Sequence, residues 1–191
     1  MCCNNIFKCL LMVMLLPVFP LSAQVVSTAT GYPVIDLSAL EPLGALLSSS
    51  EAAARRTEMN AQTPTNDVSL PVGGDENGVW NAKMSIKYQV MRTDRSTGTD
   101  RANAWALCKS YNGEGGGAGQ WRLPTQRELE MIWILHPQLI NKASFTAFSA
   151  NYYWAATEYT GTSGWAVRFS DGYTNSNTKT SSTYVRCVRD L

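Results

Sequence analysis

The side chains with which this chain could do chemistry are few: five cysteines, one histidine and a thin scatter of carboxylates in 191 residues. A nucleophilic cysteine or serine needs a base beside it, so the histidine is the first residue to weigh. His136 stands at the end of a helical pattern just before Pro137, a place that suits a solvated cap better than a base. Glu128 follows Thr125 at the spacing of a capping box, so its carboxylate reads as a helix cap rather than a general acid. Asp171, Asn175 and Asn177 supply oxygens at one end of a sheet pattern, yet they are ordinary turn residues, and hard cations want roughly six or more oxygen ligands. No HExxH, GxSxG, Walker or CxxC motif is present. The expectation is no metal, no cofactor and no catalysis.

The cysteines divide into two groups. Lys8, the apolar run CLLMVMLLPVF and the small-residue pattern LSA ending at Ala23 read as a secretory signal peptide over residues 1–23. An uncleaved anchor competes with that reading, but the run is shorter than the roughly 20 residues a spanning helix needs, and Pro17 and Pro20 interrupt its end. Gln24 stands where a lipoprotein would require cysteine. Removal of the segment takes Cys2, Cys3 and Cys9 with it and leaves Cys108 and Cys187 in a chain bound for an oxidising compartment. One disulfide is the first reading of this pair; two buried thiols and a reactive cysteine are the alternatives. The destination is outside the cytoplasm: cell surface, extracellular space or periplasm.

These residues need elements to hold them. Residues 24–78 are rich in Ala, Ser, Thr, Pro and Gly and read as a flexible extension or stalk. One helix is expected there, on a partial stripe of Leu37, Leu40, Leu43, Leu46 and Leu47, weakened by Pro42 and Gly44. Arg55 and Arg56 in the same stretch form a dibasic pair that reads as solvated in a linker, with processing by a trypsin-like protease as the alternative. A domain is expected over 79–191, opening on a strand with Ile86, Tyr88 and Val90 on one face. A helix follows, capped by Thr99 or Asp100, with Ala104, Leu107, Cys108 and Tyr111 on its inner side. NGEGGGAGQ lacks the lysine and serine or threonine of a phosphate loop and reads as a mobile surface loop. The second helix starts at Thr125, turns Leu129, Ile132 and Trp133 inward, and stops at Pro137. The last forty residues read as an antiparallel meander, with a type I′ turn at Asp171 and Gly172.

In that order, a helix ending in cysteine, WRLPTQREL, YYWAATE, WAVRFSDG and YVRCVRD resemble the C-terminal domain family of bacterial collagen-like adhesins, which is related to the Fibrobacter major paralogous domain. The resemblance covers roughly residues 79–191. It implies an α+β, C-type-lectin-like domain: two helices, a small twisted antiparallel sheet with long loops, and a disulfide from the first helix to the last strand, positions that Cys108 and Cys187 match. It implies a structural role for Trp121, Leu123 and Pro124 and for the strand tryptophans. The calcium-chelating triplets of sugar-binding relatives, Glu-Pro-Asn or Gln-Pro-Asp and Trp-Asn-Asp, are missing, so ligand binding is expected without calcium. Formylglycine-generating enzymes share a related fold and use two redox cysteines, but both cysteines here occupy the bridge positions.

Function is thus expected to be non-catalytic binding at the cell surface, with a glycan or a surface protein as ligand. The alternative is a structural, accessory or tip component of a surface fibre, joined to other subunits through the N-terminal extension, for which VVSTATGYPVIDL offers a faint donor-strand pattern. The ligand is expected at Tyr159, Tyr173, Asn175 and Asn177, where aromatic faces lie among amides and hydroxyls. A net charge of +1 offers no field for nucleic acid.

Overall fold

The computed structural model describes residues 25–28, 31–40, 46–67, 83–142 and 144–191; the expected signal peptide and residues 79–82 of the opening strand lie outside them. Among the described residues the architecture is α+β, with three α-helices and two five-stranded sheets. Among the described residues no helix is long and apolar enough to cross a membrane.

The first sheet joins distant parts of the chain. Its order is β1 (Val26–Ser27), β2 (Val34–Asp36), β5 (Lys87–Val90), β12 (Val188–Asp190) and β7 (Trp121–Arg122), all antiparallel. A parallel pair, β3 (Leu46–Leu47) and β4 (Met84–Ser85), flanks it. The second sheet runs β10 (Thr174–Thr178), β9 (Ser163–Arg168), β8 (Tyr152–Glu158), β11 (Thr183–Val185) and β6 (Ser96–Thr99). The expected meander holds for β8, β9 and β10. The closing stretch does not extend it: β11 returns to pair β8 in parallel, and after Cys187 the chain crosses to the first sheet as β12. Alternation along one stretch cannot report that crossing, because both halves keep period 2.

Side-chain alternation gives β8 and β9 two buried faces. Tyr153, Ala155 and Val167 enter one core with Leu129, Ile132, Leu135 and Leu139 of α3 (Gln126–Leu139). Trp154, Ala156 and Ala166 enter the other with Ala104, Trp105 and Cys108 of α2 (Arg101–Lys109). The disulfide between Cys108 and Cys187 forms inside the second core, with 5.5 Å between Cα atoms, and ties α2 to the residue just before β12.

The N-terminal segment packs on the domain rather than standing apart from it. Val34, Ile35, Leu37, Leu47, Ala52 and Met59 are fully buried. Its helix, α1 (Ser49–Ala61), begins later than the leucine stripe suggests, because Ser48 and Glu51 form a reciprocal capping box and Leu46 and Leu47 are drawn into β3. Arg55 and Arg56 therefore lie within a helix, and Arg55 is wholly buried, which corrects the expectation of a solvated dibasic pair in a linker.

Three further local readings are corrected. Helix α3 runs through Pro137 to Leu139, since a proline in the last turn costs a single donor and Leu139 is held in the core. Trp133 is only partly buried and covers Gly172, whose α-carbon approaches the ring too closely for any side chain. The glycine-rich loop lies at the surface but is pinned at one point: Gly113 and Gly116 bridge each other, and a methyl group on Gly116 would meet the Trp121 indole at 2.5 Å.

Candidate ligand-binding surface

Two of the places where charged side chains gather differ sharply in their surroundings. The first is buried. The capping box at the start of α3 closes as expected: the Glu128 amide donates to Thr125 Oγ1 at 3.3 Å, and the Thr125 amide donates to Glu128 Oε2 at 2.9 Å. Glu128 does more than cap. Arg122, at the end of β7, donates to both of its oxygens at 2.7 and 2.9 Å and to Asp190 of β12. Arg55 reaches in from α1 to Glu128 at 3.0 Å, and Ser85 of β4 donates to Asp190 at 2.5 Å. Arg55, Arg122, Glu128 and Asp190 are thus buried together, with Arg56 at the rim 3.9 Å from Asp190.

The electrostatics follow from that arrangement. Burial works against the charge on Glu128, but Arg122 and Arg55 outweigh it and hold the carboxyl well below the usual carboxylate range. Burial likewise opposes the Arg122 charge, and Asp190 and Glu128 outweigh it to hold the guanidinium firmly protonated. Arg55 is different: burial, then the neighbouring Arg122, push its value down against Glu128 and Asp190. Such a cluster has no open coordinate for a substrate. Two smaller networks are built alike, Glu158 with Arg101 and Lys179 at 2.9 Å each, and Arg186 with Asp94 at 2.6 Å beneath the Phe148 ring.

The second place lies on the β9–β10 hairpin. Arg168 is flanked by two tyrosines: Tyr152, its Cα partner on β8, and Tyr173, each with its ring centre 5.3 to 5.4 Å from the guanidinium carbon. Asp171 holds the guanidinium in a fork, at 2.9 Å to Nε and 2.5 Å to Nη2. That contact, in the open, lowers the Asp171 carboxyl to about 2. The turn closes on four residues, Phe169 to Gly172. The Gly172 amide donates to the Arg168 carbonyl, and of the two residues expected at positive φ only Gly172 adopts it, at 77°. This corrects the type I′ expectation; with Asp171 outside the left-handed region, its carboxylate is free to turn back to Arg168.

Register decides which expected ligand residues meet. Asn175 and Asn177 are partners of Ala166 and Gly164, so they alternate onto the face that carries Arg168 and Tyr173. Tyr173 is 54% exposed, and Asn175 Nδ2 donates to Asn177 Oδ1 at 3.3 Å. Tyr159 does not join them. It follows Glu158, whose partner Gly164 is at the far end of β9, and its ring packs edge-on against Trp165, whose neighbour Val167 enters the α3-side core. The four residues therefore divide between the two faces. Tyr152 and Arg168 complete the ladder and are not among the residues expected from the sequence; only the cross-strand register sets Arg168 between two tyrosines.

The other expected chemistry is placed as follows. His136 is not a solvated cap: its Nε2 accepts from the Phe148 amide at 3.2 Å, and its ring meets Phe148 and Phe169 edge-on. Burial, then the nearby Arg186, lower its pKa. Among the described residues no three His, Cys, Asp or Glu side chains converge in a way that could hold a metal ion.

Comparison with curated proteins found no match. The sequence model of the Lcl C-terminal domain matches residues 73–189, a span that carries both sheets' central strands, α2, α3, the disulfide and the hairpin, and the chain belongs to that family.

Proposed function

We propose that the chain is an exported, non-catalytic module of the cell surface that takes a hydroxyl-rich ligand, a glycan or the polar face of a surface protein, on the ladder Tyr152, Arg168, Tyr173 with Asn175 and Asn177, without calcium. One observation carries the reading: the ion-pair networks around Glu128 and Glu158 are buried, while this hairpin presents aromatic rings, amides and a guanidinium to solvent. Sugar C–H faces pack on aromatic rings, and their hydroxyls exchange water for fixed donors and acceptors. Asp171 offsets the Arg168 charge, which favours a neutral ligand over a polyanion.

The test is a glycan and surface-protein array probed with the chain from Gln24 onward, with and without EDTA, beside a Tyr173→Ala variant. Binding that survives EDTA and is lost in the variant supports the reading. Full binding by the variant, or none by the parent, removes it. The fibre-component reading is favoured by a separate feature, the insertion of β2 alongside β5.

A further inference from the structure

The segment 25–67 makes its contacts with parts of the chain remote in sequence. Strand β2 pairs β5 through Val34 with Gln89, Ile35 with Tyr88 and Asp36 with Lys87. The Ile86 amide donates to Leu47 O and the Leu37 amide to Ile86 O, both at 2.8 Å. Ser49 Oγ donates to the carbonyl of Leu191, and Asn60 Nδ2 to that of Gly119. Arg55 enters the site of Glu128 and Asp190. The only covalent tie between this segment and its dock is the stretch 68–82, which at about 3.4 Å per residue can reach about 50 Å. The matched family span begins at residue 73, so α1 and Arg55 lie outside it while Glu128 lies within.

We propose that segment 25–67 is exchangeable between copies of this chain: the dock formed by β5, Ser85, Glu128 and Asp190 of one copy accepts β2 and Arg55 of another. The dock cannot stay empty. Without the segment, β5 presents an open edge, Leu37, Leu47 and Met59 face water, and Arg122 is left alone with two buried carboxylates. The identical segment of a second copy meets each of these demands with the same contacts. Docking within one chain is independent of protein concentration whereas docking between chains rises with it, so the self-closed form prevails in dilute solution and exchange is captured when chains fold together at high concentration. Reciprocal exchange closes a dimer, and head-to-tail exchange grows a chain. The inference does not depend on any ligand.

The test uses the exposed pair Asp36 and Lys87, Cα partners across β2 and β5 joined by a surface ion pair of 3.1 Å. Full-length Asp36→Cys and Lys87→Cys chains, each unable to form this link alone, are mixed and refolded together in acid, where thiol exchange is slow, then oxidised and mapped by peptide. The expected result is a covalent heterodimer joined between positions 36 and 87, its yield rising about tenfold for a tenfold rise in protein concentration during refolding. The double variant should link within one chain when dilute. A double variant that closes while the mixed single variants never yield the 36–87 peptide overturns the proposal. Failure of the double variant to close removes the docking contact and overturns it too.

Discussion

Arginine meets carboxylate at 2.5 to 2.7 Å both at the start of α3 and on the β9–β10 turn, and the outcomes differ because the surroundings differ. At the start of α3, Arg122 holds Glu128 and Asp190 in a site from which water is shut out. On the β9–β10 turn, Arg168 holds Asp171 with both side chains more than a third exposed. The buried pair has paid its desolvation and is bound to its partners from every side, so breaking it strands a charge. The exposed pair is screened, and its loss is met by water. The same chemistry therefore fastens three segments of chain together in one place and leaves a surface available for recognition in the other.

The sharpest way to break this contrast is at Arg122. Arg122→Ala should cost about 3 to 5 kcal/mol in denaturant unfolding, a large share of the total stability of a domain, because Glu128 and Asp190 lose their shared cation. A loss under 1 kcal/mol would mean the site admits water. Replacing Cys108 and Cys187 together by alanine should cost about 2 to 5 kcal/mol, since the bridge closes a loop of 79 positions.

Smaller effects refine the picture on the hairpin. Gly172→Ala should cost about 1 to 3 kcal/mol, because φ is 77° and the new methyl would meet the Trp133 ring at 2.8 Å. If the midpoint does not move, the turn is free of Trp133.

His136 sets a pH dependence whose sign is fixed by its lowered pKa. The folded state resists protonation, so the unfolded state binds the extra proton first; the neutral ring's contribution is complete above the ordinary value of 6.5 and is lost as pH falls through the lower folded value. Glu128 and Asp190, held down by Arg122, lose theirs only in stronger acid. Stability measured from pH 7 to 5 should fall in the parent and stay nearly level in His136→Gln.

At the bottom of the scale, Arg168→Ala and Asp171→Asn should leave the unfolding midpoint unmoved. Once a ligand is in hand, Tyr173→Ala should weaken binding by about 1 to 3 kcal/mol at no cost in stability. Tyr159→Ala, on the opposite face, should leave binding intact, and an equal loss there would return both tyrosines to one site.

Residues near in sequence determined a good deal of this protein. The caps at Thr125 and Asp100 were legible because a cap joins a side chain to an amide three residues on. The β8 and β9 strands were legible from alternation, and the pairing of Cys108 with Cys187 from their isolation and inward placement together with the family resemblance. Tertiary structure alone decided what those elements meet. Arg55, Ser85, Arg122, Glu128 and Asp190 converge across more than a hundred positions, and no spacing in the sequence marks them as partners. The same holds for the path of the last seven residues, which carry one alternating pattern through two sheets, and for the division of Tyr159 from Tyr173. Local order is written in contacts between neighbours, whereas register and sheet crossing are settled only when distant strands compete for the same edges.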